Sequence, residues 1–558
     1  MGNSNGSHSN DSHSFDRRKF LAVAGSGVAG VGLAGCSGGG GNEGTTTSGS
    51  AGTTSSGSGE TYTTASEGEV KKGGKLVWAH SEQMIDNDIH LTAGESSYRV
   101  LSNVHEPLVG LTRDLNLSSD KTAAQPGLAK DWEASDDLLT YTFTLREGIK
   151  DHSGKELTAE DVKYSFDRIR DPDIGANNQF IFKKIESTEA VDKYTFRFTL
   201  KNRFRRFIAQ LAFYSSSIIP KGTGPDQESN PLGYGPFKWE SRSVGEKVVM
   251  TAFDDYWNAG PYVDTLEQRT ATDPNARLTS VETGEADITN DVPLPQINDT
   301  VGNEDDNLKT KMWNPLCVGY ILFNNTQEPF DDQKFRQAID YAIDKQQIVD
   351  GALYGNGVPT ESGLLPPSKF RNTDLERRGQ DIEAAKQHFE ESKYDPGEFE
   401  LNFMVSPNYP WHVEAAKIMQ QMFAQAGLTV NIEQVQWNEW FNRAFNLDYT
   451  ITFVNWFEGW DPSYWLRNTL YSDGAYNMLG YESDKFDTAM DNAATADTQE
   501  KAIEYYKEAQ AIRHEETPTV NVWFRKGALA AKQNTNGLAT LPNPDGSLFR
   551  FEEVWLDE

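Results

Sequence analysis

Apolar residues along this chain follow two periods, and the periods alternate. In residues 137–147 (DLLTYTFTLRE), Tyr141, Phe143 and Leu145 recur at every second position, which predicts a half-buried strand. Residues 194–200 repeat that pattern, and 74–79 (GKLVWA) read as a short strand. Thr158 and Asp161 form a capping box that opens a helix with Val162, Phe166 and Ile169 on one face. Residues 96–111 read as a helix leading to a turn. Asp273 and Pro274 supply a cap and a first-turn proline for a helix that Gly284 ends, and 286–288 continue as a strand. Residues 336–353 read as one helix, with Ala338, Ile339, Ala342 and Ile343 on one side. Residues 412–426 form another, stopped by Gly427, after which Leu428, Val430 and Ile432 alternate. Residues 497–514 are a further long helix. The recurrence of helix, glycine and strand predicts an α/β architecture with mostly parallel pairing.

The first apolar run has neither period. Residues 21–34 are 14 residues of soft apolar sequence, short of the ~20 that a membrane-spanning helix needs. A charged start, a short apolar middle and a small-residue exit read as an export signal. The stretch from Asp16 to Leu21 (DRRKFL) resembles a twin-arginine signal, with Arg17 and Arg18 as the pair. Leu33, Ala34, Gly35 and Cys36 resemble a lipobox, which makes Cys36 the lipid-modified residue of the processed chain. Residues 37–70 are rich in Gly, Ser and Thr and read as a tether with an end-to-end distance of ~30 Å. The body beyond residue 70 is long enough for more than one domain. Cys317, the second of two cysteines, sits among apolar residues and reads as a small buried hydrophobe.

Charge narrows the partners. The whole chain carries −31, and Asp11, Asp16, Arg17, Arg18 and Lys19 before Cys36 sum to +1, leaving −32 for the rest. The acids are spread along the body, which suits a protein of a salty environment such as that of a halophilic archaeon. No basic patch of the kind phosphates require is present, so nucleic acid is not an expected partner.

A search for catalytic chemistry is negative. The body has no G-x-S-x-G elbow and no H-E-x-x-H, and residues 148–155 (GIKDHSGK) depart from a phosphate loop in spacing. The histidines of the body, His80, His90, His105, His152, His388, His412 and His514, show no metal-ligand spacing. The aromatic stretch NWFEGWDPSYWL, residues 455–466, is more telling. Trp456, Phe457, Trp460, Tyr464 and Trp465 surround Asp461 in a predicted loop beyond a strand. Such rings can line a pocket in which an acid holds a cation; the same residues also suit a packed aromatic core with Asp461 capping a turn.

Several stretches, in order, resemble the solute-binding proteins of peptide/nickel-type ABC transporters. They include HEPLVGLTRD (105–114), the long run 123–169, PLGYGPFKW (231–239), DDYW (254–257), TGEADI (283–288), residues 322–345 and PSYWLRNTLYSD (462–473). The resemblance implies a two-lobed periplasmic-binding-protein-like α/β fold with an extra subdomain inserted in the first lobe. The expected division is a signal to residue 36, the tether 37–70, a first lobe from 71–118 and 201–320 around an inserted subdomain 119–200, a second lobe 321–524, and a return segment 525–558.

The resemblance implies a receptor without catalysis, cofactor or metal. Its partners are a peptide or other small solute, an ABC permease with its ATPase, and the outer face of the cytoplasmic membrane through a lipid anchor; the body is expected to be a monomer. A sugar oligomer or a metal complex is the alternative cargo. By the same resemblance Asp461 is the candidate for a peptide's α-ammonium, within Trp456 and Trp460. His80 and Glu82, after the first strand, and Tyr234, in the GYGPF turn, are expected to face the cleft, with Trp437 and Trp440 as further walls.

The spread of acidic charge gives a first prediction. The melting temperature will rise steeply between dilute buffer and molar KCl, where the screening length falls to about 3 Å. Equal melting at the two salt levels would remove the argument for a halophilic body.

Overall fold

Two mixed sheets carry the core of the chain. The computed structural model describes residues 70–557 except 93, 113–116, 119–125, 302–307, 314–316, 365–367, 458–460, 539, 542–547 and 550. Arg17, Arg18, Cys36 and the tether up to residue 69 therefore lie outside the described residues.

The first sheet runs in the order Leu308–Trp313, Gly527–Lys532, Ile288–Thr289, Lys75–His80, Thr265–Thr270, Lys247–Ala252, Phe237–Ser243. Its central strand is buried from Leu76 to His80, because both faces are covered; a strand so placed reads as a continuous apolar run. Leu76, Trp78, Leu266, Ile288, Leu529 and Phe551 form its core. The second sheet runs Gly357–Pro359, Thr519–Arg525, Cys317–Phe323, Ile451–Phe457, Glu400–Val405, Thr429–Gln434. Ile321, Phe335, Phe403, Phe423, Phe453 and Trp523 are central to its core. The chain passes from the first sheet to the second between Trp313 and Cys317, and returns between Arg525 and Gly527.

A third, antiparallel sheet, Ala129–Ala134, Thr140–Leu145, Thr195–Leu200, Ile185–Ala190, holds two of the predicted strands. Both alternate buried and half-buried residues. Helix Ala159–Arg170 covers one face through Phe166, whose ring lies 4.8 Å from Phe198 and 5.3 Å from Phe182. The Asp161 carboxylate accepts from the Thr158 backbone N–H at 2.8 Å, as a capping box requires. Buried Arg168, on this helix, reaches Asp88 (3.2 Å) and His90 Nδ1 (2.9 Å) and ties the small sheet to the loop after the first strand.

Three expectations change. Pairing is largely antiparallel: strand 75–80 pairs in parallel with 265–270 and 288–289, and 400–405 with 429–434 and 451–457, while the other pairs run antiparallel. The helix expected over 96–111 is confined to Glu95–Leu101; Pro107 has no backbone N–H to continue it and disfavours helical backbone at the residue before it. The helix expected over 336–353 is two, Gln333–Ala342 and Lys345–Ala352. Ile343 between them is extended, and the Asp344 side chain caps the second by accepting from the N–H groups of Gln346 and Gln347 at 2.9 and 3.0 Å.

Candidate solute site between the two sheets

Asp461 is not an open acid in a loop. It is the N-cap of helix Pro462–Leu470, with Pro462 in the first turn, and its side chain is fully buried. One carboxylate oxygen accepts from Arg206 Nε at 2.7 Å and from Arg206 Nη2. The other accepts from the Ser463 N–H at 2.9 Å and from the Ser463 hydroxyl. Its acceptor capacity is spent inside the protein, so the expected ammonium contact is withdrawn. Arg206 belongs to the segment after the small sheet, and its neighbours also grip the second-sheet body. Arg205 Nε donates to the Ala496 carbonyl at 2.7 Å, and Arg203 pairs with Asp497 at 3.1 Å. Asp461 thus holds two parts of the fold together; removing one partner from such a buried pair costs about 3–5 kcal/mol.

Two further expectations fail for similar reasons. Tyr234 is buried, with its hydroxyl bonded to Asp161 of the small sheet's helix; burial first, then the Asp161 and Asp151 charges, push its ionisation well up. The glycines beside it permit that packing, because a Cβ at Gly233 would meet the Val104 carbonyl oxygen at 2.3 Å. Trp440 is fully buried, and its N–H donates to Thr452 Oγ1 at 2.7 Å. It is a support for Trp437, which stacks on it at 4.9 Å and meets Tyr409 edge-on at 5.4 Å. Trp460 lies outside the described residues, and Trp456 is described only as a strand residue paired with Val318.

His80 and Glu82 lead to the site. The His80 ring is buried, with Nε2 at 3.0 Å from Arg99 Nη1 and Nδ1 at 2.7 Å from the Glu82 carbonyl oxygen. Arg99 can only donate, so Nε2 accepts and the proton sits on Nδ1. Burial, then the Arg99 charge, lower its pKa to about 3, leaving a neutral strut between strand and helix. Glu82 is exposed, yet burial raises its pKa, with Arg99 and Arg277 opposing and Asp291 reinforcing the rise. Glu95, in the first turn of helix 95–101, pairs with Arg99 and is pushed up to about 7 by burial first, with Glu82 adding to the rise. Asp291 pairs with Arg277 at 3.2 Å; burial raises its pKa, but Arg277, Arg525, Arg99 and His80 outweigh it and hold the carboxyl below its usual range.

The second-sheet body supplies the opposing wall. Tyr409, just before helix Pro410–Gln425, is half-buried; burial raises its pKa, and the Glu82 and Glu95 charges add to the effect. Arg525, at the end of strand 519–525, lies over Trp411 at 5.1 Å and acts on both Glu95 and Asp291. The buried Cys317 thiol is pushed up to about 12, by burial first. Glu82, Glu95, Asp291, Tyr409, Trp411 and Arg525 all retain solvent-accessible surface, while burial dominates the titration of three of them. That combination describes a partly closed space walled by protein, in which Glu82 and the Glu95–Arg99 and Asp291–Arg277 pairs come within electrostatic reach of Tyr409 and Arg525. A small open pocket of about 150 Å³ lies at the outer edge of the second sheet, where Arg443 pairs with Glu433 and Asp448. Of the residues expected from sequence, Glu82, His80 and Trp437 lie near the walled space, His80 as a buried strut; Glu95, Arg99, Asp291, Tyr409, Trp411 and Arg525 lie in no motif.

A sequence model of the bacterial extracellular solute-binding proteins, family 5 middle region, matches residues 123–478. The chain belongs to this family. Similar proteins include the dipeptide-binding protein of Escherichia coli, 30% identical over 438 residues, 72% of this chain and 80% of that protein. The heme-binding protein A of Haemophilus influenzae is 29% identical over 464 residues, covering 77% and 84%. The crystal structure of the ABC transporter substrate-binding protein CtaP from Listeria monocytogenes superposes with a TM-score of 0.79 at 25% identity, over 88% of this chain and 100% of that one. The two-lobed α/β architecture of solute-binding proteins is therefore that of this chain.

Glu95 makes the gap sensitive to pH. An unfolded glutamate titrates near 4.5 and the folded one near 7, so the native state holds a proton that the unfolded chain has released. Stability then falls as pH rises through that window. The ligand-free protein will lose melting temperature from pH 4.5 to 7 at fixed salt, and Glu95→Gln will flatten part of that slope. Parallel slopes in the two proteins would show that Glu95 titrates normally.

Proposed function

We propose that this family 5 protein is an exported receptor, lipid-anchored through Cys36, that captures a short peptide between its lobes and delivers it to an ABC importer. The observation that carries the peptide reading is the charge left over around the gap: Glu82 on one wall and Arg525 over Trp411 on the other have no ion pair among the described residues, while Glu95 and Asp291 are paired with Arg99 and Arg277. A zwitterion satisfies both walls, whereas a neutral sugar leaves desolvated charges unanswered. The relatedness to a dipeptide-binding protein supports the same reading. Heme or a metal complex, the cargo named for other similar proteins, offers no ammonium for the acidic wall.

Two measurements test this reading. Solute released by acid from freshly purified protein and read by mass spectrometry will be short peptides; a neutral oligosaccharide would overturn the cargo. Cys36→Ser will move the protein from the membrane pellet to the soluble fraction, since no described helix is long and apolar enough to cross a bilayer. Retention of the mutant in salt-washed membranes would refute the lipid anchor.

A further inference from the structure

Arg206 enters the second lobe at a place that this lobe shapes by itself. One Asp461 oxygen accepts from Arg206 Nε at 2.7 Å and from Nη2. The other accepts from the N–H and the hydroxyl of Ser463, so the cap of helix 462–470 fixes the carboxylate without help from Arg206. The Arg206 guanidinium also lies over the Phe370 ring, 4.6 Å from its centroid. Gln510 Nε2 holds that residue by donating to the Phe370 carbonyl at 2.8 Å, and the Tyr506 ring meets Phe370 edge-on at 5.6 Å. Both belong to helix 499–516. A fixed carboxylate beside an aromatic face is the complement of a guanidinium, which donates in its plane and stacks on its face.

The arginine is positioned from the other side. Residues 203–206 lead out of strand 195–200 into the short helix 207–210. The Phe207 ring lies 5.0 Å from both Tyr141 and Phe198 of the small sheet, and the Tyr141 hydroxyl donates to the Phe204 carbonyl at 3.0 Å. Besides Arg206, the groups that cross to the second lobe are largely polar. The Arg205 backbone N–H donates to the Ala494 carbonyl at 2.9 Å, Gln210 donates to Ser463 at 3.2 Å, and Arg203 pairs with Asp497 at 3.1 Å. Hydrogen bonds of this kind are exchanged for bonds to water when the surfaces part, so separation costs less than opening an apolar core.

We propose that Asp461 and Phe370 form a guanidinium socket that Arg206 leaves and re-enters as the lobes part and meet, which makes this contact a latch between them. A static bolt would use the same atoms but would open only with the whole fold. The inference rests on the two-lobed architecture and not on the identity of the solute.

Amide hydrogen exchange of the full chain in molar KCl, resolved by residue, tests the latch. The Arg205 amide crosses the contact, whereas the Phe207 amide donates to the Phe204 carbonyl within its own turn at 3.1 Å. In the wild-type protein the Arg205 amide will exchange at least about tenfold faster than the amides of strand 317–323, and faster than the Phe207 amide. Arg206→Ser will speed the Arg205 amide by at least about a further tenfold, because charge-assisted bonds are lost. Millimolar guanidinium chloride will slow it again in that variant, and ammonium chloride at the same concentration will not. Adding Asp461→Asn to Arg206→Ser will remove the rescue. A melting curve establishes that each variant is folded; if one is not, the wild-type comparison alone decides the latch. Arg205 exchange as slow as that of strand 317–323 would show a static bolt and overturn the latch. Equal exchange of the Arg205 and Phe207 amides would show fraying of the segment and overturn it equally. Absence of rescue by guanidinium, or rescue that survives Asp461→Asn, would overturn the socket. None of these outcomes alters the cargo reading, which is tested separately.

Discussion

Arg525 ends a strand of one sheet, and Gly527 begins a strand of the other. That two-residue step is the constraint on which the site depends. Both strands are buried and hydrogen-bonded along their length, so the step between them has little freedom. The guanidinium is delivered to the gap by backbone geometry rather than by a flexible loop. The same step places the acidic wall opposite, because Gly527–Lys532 pairs with Ile288–Thr289, two residues before Asp291, and Ile288–Thr289 pairs with Lys75–His80, two residues before Glu82. Three strands in register therefore set the spacing between opposite charges. Side chains so held lose little entropy on binding a solute.

A second connection works at a distance from this step. Arg203, Arg205 and Arg206 come after the small sheet and close on Asp461, Ala496 and Asp497. Phe213 and Tyr464 add a ring contact at 4.7 Å, and Gln210 reaches Ser463 at 3.2 Å. The small sheet thereby leads into a segment that grips the helices around the second sheet. The mainly polar composition of this contact differs from the apolar cores of the two large sheets.

Much of the fold was legible because it is local. Alternation marked Thr140–Leu145 and Thr195–Leu200, and Thr158 with Asp161 marked a helix start, since those signals depend only on neighbours in sequence. Strand direction was not legible: Gly527–Lys532 enters the first sheet from the far end of the chain, and nothing near it says so. Helix 333–342 breaks at Ile343 because Asp344 caps better than it propagates, a contest that an apolar stripe conceals. The candidate site shows the same division. Asp-Pro at 461–462 carries a helix-cap signal as well as a turn signal, but its partner Arg206 is 255 residues away. Glu82 was named from its place after a strand, which is local; Arg525 and Asp291 are single charges in an acidic chain, and only their three-dimensional surroundings distinguish them.

The tryptophans around the gap have an optical consequence. Indole emission responds to the polarity and charge close to the ring. Trp440 and Trp523 have committed their N–H groups to Thr452 and Asn455 and sit in the core, so their emission is a constant background. Trp411 is different: it lies beneath a guanidinium, with its own N–H unspent. Any solute that draws Arg525 toward itself changes the field across that one ring. Trp411 emission would therefore register charge brought close to Arg525, without a label being attached.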